Sequence, residues 1–372
     1  MRYPKIKIQV KLVTLLSAFI LLLCTSYGQA IQNPKVNTSG AEAYFKIATA
    51  LAKDDAKNTI PWQSLFQTPP YQMMIAGHVI DTAALKSNIQ TVFSSTSTQS
   101  KSAFSTNEIY HLAYKNIQKQ LESYIKQLHD LNVVDSVKAL LYPYLPLRLQ
   151  RVELFPMLFY FNYGSADATG FGGVVLNDLL HSYKIDQYKF GLLAAHEAFH
   201  SIVSTAFQMK LKKDIDFKAP DFNLLYFLQN IAEEGVADLI DKPLLLQPDS
   251  PLYEEVKQLT ADDASISIVL IKRLDSVLTL ANESDQVLLH YRDFASLANT
   301  FGKNGGHVPG RFMGKVIKDA GLLQNLIDVV EDPILFILTY NDAVIKNGKK
   351  YPNLSNESVL YLQKLKKKFL NN

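Results

Sequence analysis

Two histidines four residues apart, His196 and His200, lie in a run whose only acidic or basic residue besides them is Glu197: Leu192-Leu193-Ala194-Ala195-His196-Glu197-Ala198-Phe199-His200-Ser201-Ile202-Val203. So apolar a run constrains the chain to a buried helix, because a surface helix would show Lys and Glu within a turn. On a helix, residues i and i+4 lie one above the other, so both imidazoles can grip one metal ion from the same side. Glu197 is turned by about 100° from His196, which puts its carboxylate beside such an ion rather than on it. Two neutral imidazoles with a carboxylate nearby suit a zinc ion and an activated water.

A catalytic zinc site usually takes a third protein ligand and leaves a fourth position open. The segment 222–241 predicts a second helix, with apolar residues at Leu224, Leu225, Leu228, Ile231, Ala232 and Leu239. Glu234 and Asp238 fall on one face of it, and four acidic residues cluster within this mostly apolar stretch: Glu233, Glu234, Asp238 and Asp241. Gly235, lacking a side chain, is expected to let this helix approach the histidine helix closely. Enough chain separates His200 from Glu234 for a loop and a returning antiparallel helix.

H-E-x-x-H followed by E-x-x-x-D resembles the gluzincin zinc metallopeptidases, the superfamily that includes thermolysin and the aminopeptidases. Glu234-Gly235-Val236-Ala237 is also similar to the N-E-G-x-A segment of the aminopeptidases, with Glu233 in the asparagine's place. As a whole the chain looks most like bacterial secreted proteins grouped as zinc-dependent peptidases of unknown substrate. The motif resemblance covers residues 170–241, and no third histidine of the metzincin kind follows His200. It implies His196, His200 and Glu234 as ligands of one zinc per chain, and Glu197 as general base. It implies Asp238 as the carboxylate that orients a ligand imidazole through its other ring nitrogen. An edge strand just upstream of the zinc helix binds extended substrate in that superfamily, which makes Gly172, Gly173, Val174 and Val175 the candidates for backbone contact. The same glycines also suit a plain turn entering a core strand. Gluzincins place a Tyr or His from a downstream segment near the developing oxyanion, and His307, in the glycine-rich loop 305–314, is the candidate. The remaining histidines, His78, His111, His129, His181 and His290, are expected to fill surface or core.

The implied activity is hydrolysis of a peptide or protein substrate. Two other readings stay open. A zinc hydrolase acting on a non-peptide ester, amide or epoxide needs the same triad and would show a closed, narrow pocket. A non-catalytic secreted binding protein that kept the fold would show an occluded metal site or none.

The first thirty residues resemble a signal peptide. Arg2, Lys5, Lys7 and Lys11 form its positive end, residues 12–24 its apolar stretch, and Gly28-Gln29-Ala30 its small-residue cleavage site. The apolar stretch is too short for a comfortable membrane span. Removing those four positive charges turns the net charge of +3 into −1, so the basic balance belongs to the leader and implies no nucleic-acid partner. Export to the periplasm or beyond follows, with no stable membrane span after cleavage. Lipid attachment at Cys24 is disfavoured because Leu21-Leu22-Leu23 lacks the small residue that lipoprotein processing prefers. Cys24 is the only cysteine, so no disulfide staples the mature chain. The sequence sets no oligomeric state.

The patterning predicts a mostly α (α+β) fold: a zincin-like catalytic domain with a small sheet and many helices over 151–372, after a helical N-terminal region over 31–150. Single helices are expected over 106–130 and 252–281, a helix over 310–320, and strands over 152–161 and 173–177. Lys364, Lys366, Lys367 and Lys368 predict a solvated last helical turn that complements the helix dipole. Protein recovered from the producing cell is expected to begin close to Ile31 on N-terminal sequencing; an intact Met1, or a lipid on Cys24, would contradict simple cleavage.

Overall fold

A computed structural model describes residues 34–53, 60–94, 104–164, 168–291, 293–302 and 304–371. The signal-peptide reading, with Cys24 and the cleavage site at Ala30, lies outside them. The described chain is mostly helical with one small four-stranded sheet, as expected. No described helix is long and apolar enough to cross a membrane. The described residues form two compact units, those up to 138 with 156–198, and 139–155 with those from 199 on.

The first unit holds β1 (Lys35–Asn37), α1 (Ser39–Ala52), α2 (Trp62–Phe66), α3 (Pro69–Ala76), α4 (Thr82–Phe93), α5 (Thr106–Asn116), α6 (Gln118–Asp130) and most of α7 (Val133–Leu141). It continues with β2 (Leu158–Asn162), β3 (Thr169–Phe171), β4 (Val174–Asp178), α8 (Leu179–Asp186) and the start of α9 (Leu192–Lys210). The sheet order is β1-β2-β4-β3. β1, β2 and β4 run parallel and β3 returns antiparallel on β4. Leu158-Phe159-Tyr160-Phe161 is a continuous apolar run, as a strand covered on both faces requires. The expected strand over 152–161 starts late because Pro156 intervenes and Val152 is exposed. The expected helix over 106–130 breaks at Ile117, whose φ of −123° leaves the helical region.

The second unit holds the rest of α9, then α10 (Pro220–Leu245), α11 (Tyr253–Thr260), α12 (Asp263–Glu283), α13 (Phe294–Phe301), α14 (His307–Asp319), α15 (Leu323–Ile327), α16 (Pro333–Lys346) and α17 (Asn356–Phe369). The helix expected over 252–281 is thus two, α11 and α12. Proline at the first position of α10 suits a place where the missing N–H would have no helical partner anyway. α14 begins at His307, earlier than the expected Gly310, because Pro309 falls within the first turn, where proline is tolerated.

The last turn of α17 is not merely solvated. Lys366 pairs with Asp332 at 2.8 Å and Lys368 pairs with Asp221. Leu211 and Leu370 form an antiparallel bridge. The Lys212 N–H donates to the Phe369 carbonyl at 2.9 Å, and the Asn371 N–H to the Lys210 carbonyl at 2.8 Å. The end of α9 is therefore tied to the end of α17.

α10 and α14 cross backbone to backbone. A Cβ added to Gly235 would meet Phe336 at 2.6 Å and the Gly310 carbonyl oxygen at 2.8 Å. One added to Gly314 would collide with the Gly235 carbonyl, and one added to Gly310 with the Ile231 carbonyl. Gly235 thus admits α14 and Phe336 of α16, not the histidine helix for which it was expected to make room. Overpacking such a contact destabilises by about 1–3 kcal/mol. Gly314→Ala is expected to lower unfolding stability in urea by that amount; an unchanged midpoint and slope would count against the close crossing.

Candidate metal centre

The dividing line between the two units falls inside α9, one continuous helix that carries His196 and Glu197 before it and His200 after it. Every residue from Leu192 to Phe199 is buried, as the apolar run predicts. His196 is 4% exposed and Glu197 8%. Gly191 precedes the helix with φ +80°, a left-handed conformation that glycine adopts without a Cβ penalty. Asp186, at the end of α8, holds this entry: its carboxylate accepts the Gly191 N–H at 3.0 Å and the Tyr124 hydroxyl at 2.6 Å. β3 lies against the same helix, since a Cβ on Gly170 would fall onto the carbonyl oxygen of Glu197.

α10 supplies the acids. Its residues 231–241 are all buried, including Glu233, Glu234, Asp238 and Asp241, so each carboxylate needs a partner. The His200 ring lies between two of them. Its Nδ1 is 3.3 Å from Glu233 Oε2, and its Nε2 is 3.5 Å from Glu234 Oε2. Gln229 Nε2 donates to the other Glu233 oxygen at 2.8 Å. A carboxylate on Nδ1 selects the tautomer with its proton there, which leaves the Nε2 lone pair on the side of Glu234. His200 Nε2 and Glu234 Oε2 can thus face one metal ion, and His196 stands one turn back on the helix that carries His200.

α14 faces α10 with two cations. His307 Nδ1 is 2.7 Å from Glu234 Oε2 and 3.6 Å from Asp238 Oδ2. Arg311, one turn on, gives Nη1 to Asp238 at 2.8 Å and Nε to Asp263 at 2.5 Å. Lys242 takes the other Asp238 oxygen at 3.2 Å and Asp241 at 2.6 Å. Burial alone would raise the carboxyls of Glu234 and Asp238. His307 overcomes this for Glu234, and Lys242, His307 and Arg311 do so for Asp238, so both stay well below the usual carboxylate range. Burial would likewise lower His307, but Glu234 and Asp238 push it up to about 10. His307 is the first residue of a helix rather than part of a flexible loop, and its side chain is 39% exposed.

Gly172 and Gly173 form the β3–β4 turn, with φ of 51° and 80°. Val174 and Val175 lie in β4, an internal strand already paired with β2 and β3. The edges among the described strands are β1 and β3; β3, Thr169–Phe171, is the one beside β4, so the candidate segment for an added strand moves to it from Val174 and Val175. Glu233, Arg311, Lys242 and Asp263 were not singled out as partners from the sequence. The His307–Arg311 spacing of one helical turn was the available signal for Arg311.

Residues 62–349 match the family described as "Putative zinc dependent peptidase" (DUF5700). The chain belongs to this family. No curated protein and no solved structure matches it. The donor set of this DUF5700 chain fits the metal in the family's description. Two atoms each about 2.1 Å from a tetrahedral zinc stand about 3.4 Å apart, close to the 3.5 Å between His200 Nε2 and Glu234 Oε2.

Asp186 gives the entry of α9 a pH dependence. Burial raises its carboxyl from 3.8 to about 7, against the lowering by Tyr124 and the backbone N–H groups of Gly191 and Leu192. The folded state then binds this proton more tightly than the unfolded chain, so the contribution to stability falls as pH rises from about 4 to about 7 and levels off above. Asp186→Asn is expected to flatten the stability profile across that window in urea melts; an equal slope in both proteins would refute the assignment.

Proposed function

We propose that the protein is an exported zinc-dependent peptidase that holds one zinc ion on His196, His200 and Glu234. The observation that carries the reading is the His200 ring between Glu234 on Nε2 and Glu233 on Nδ1, together with a third donor, His196, one turn back on the same helix. A zinc ion bound there supplies Lewis acidity toward a carbonyl oxygen and lowers the pKa of water. Glu233 keeps His200 in the tautomer that presents Nε2. Glu197 takes the proton of the attacking water on its carboxylate and returns it to the leaving amine. His307 has Nδ1 committed to carboxylates, so a contact to the oxyanion falls to its Nε2. Asp238 orients a ligand imidazole through its other ring nitrogen and also stands beside His307. An extended peptide pairs with the β3 edge, where Gly170 brings the strand onto the backbone of Glu197.

Metal analysis of the purified mature chain is expected to give about one zinc, lost in His196→Ala, His200→Ala and Glu234→Ala. Glu197→Gln should keep the zinc and lose turnover on a peptide library. Glu233→Gln should keep measurable zinc with weaker affinity, unlike Glu234→Ala. Stoichiometric zinc in a His196→Ala/His200→Ala double variant would sink the ligand assignment, and zinc lost from folded Glu197→Gln would sink the role of the base.

A further inference from the structure

We infer that Arg311 is a positioning residue: by clamping Asp238 to Asp263 it holds His307 against Glu234, and so sets where the Glu234 oxygen stands. Its consequence for metal rests on the zinc reading above. Arg311 is 8% exposed, and burying a guanidinium with two carboxylates is a poor way to gain stability, since apolar residues of like volume often do better. What such a group provides is direction. The planar fork gives Nε at 2.5 Å and Nη2 at 3.2 Å to the two oxygens of Asp263, on α12, and Nη1 at 2.8 Å to Asp238 Oδ2, on α10. Three helices are thereby fixed at one planar group, a geometry a lysine ammonium does not reproduce.

Asp238 is held at both ends, by Arg311 on Oδ2 and by Lys242 on Oδ1. That leaves its Oδ2 3.6 Å from His307 Nδ1, which meets Glu234 Oε2 at 2.7 Å. The result is one chain of contacts, Asp263–Arg311–Asp238–His307–Glu234. His307 and Arg311 sit one turn apart on α14, and the glycine crossing with α10 fixes how far that turn stands from the acids. Without the clamp Asp238 keeps only the Lys242 contact on Oδ1, its Oδ2 can turn toward the ring, and His307 can leave Glu234 for it.

The test uses the mature chain with Arg311→Lys, Arg311→Met and Asp263→Asn. Zinc affinity by chelator competition is expected to fall by about 10–100-fold in Arg311→Lys and at least as far in Arg311→Met, the range for losing a group that orients a ligand. The His307 ring resonances of the zinc-free protein should move in every variant. Should Arg311→Met fail to fold, Arg311→Lys and Asp263→Asn carry the comparison. A lowered Tm with wild-type zinc affinity and unmoved His307 resonances would mark Arg311 as structural only and overturn the inference. If the wild type binds no zinc, the zinc reading falls by itself, and the metal-free His307 resonances still decide: moved, they uphold the positioning; unmoved, they overturn it.

Discussion

The site depends on the contact of two helix backbones. With no side chains at Gly235, Gly310 and Gly314, α10 and α14 approach until carbonyl oxygens and α-carbons touch. Only at that separation can a residue as short as His307 pair with Glu234 while Arg311, one turn on, reaches Asp238. A methyl group at the crossing would push the helices apart, and the polar contacts would lengthen together because both cations ride on one helix. The dense interior explains why this is a sharp constraint: cores pack like organic crystals and have no slack to absorb a shift.

The crossing also balances charge. α10 buries four carboxylates in a stretch where water cannot solvate them, and isolated buried charges are strongly disfavoured. His200 comes from α9, Lys242 from α10 itself, and His307 and Arg311 from α14. Glu234 and Asp238 therefore remain ionised inside the protein, the state a dication needs from a carboxylate ligand. The same pairings lock the carboxylates in orientation, so burial and readiness for metal come from one arrangement.

Much of this was legible in the sequence because it is local. The i, i+4 histidines lie on a single helix, as do Glu234 and Asp238, and helical periodicity alone puts each pair on one face. What was not legible is long-range. Gly235 advertised a close neighbour without saying which, and the neighbour proved to be α14. Glu233 sits next to Glu234 in sequence, yet its place on the outer nitrogen of His200 depends on the angle between α9 and α10. Arg311 and Asp263 lie far from each other and from Asp238 along the chain, so only the folded unit brings them together. Gly172 and Gly173 turn the chain into an internal strand, the alternative the sequence had left open, and only the folded sheet decides between the two. The break at Ile117 has no composition signal, since its residues suit a helix on either side.

The tie between residues 210–212 and 369–371 bears on how this unit comes apart. Helix ends normally fray first, and local opening is the usual entry point for proteolysis. Here the end of α9 can loosen only if the end of α17 also lets go, because the Leu211–Leu370 bridge and the flanking backbone hydrogen bonds join them. The two ends open as one cooperative event rather than as two independent ones. In an environment rich in digestive enzymes, that coupling removes the loose thread from which the helix bearing the two histidines would otherwise be unravelled.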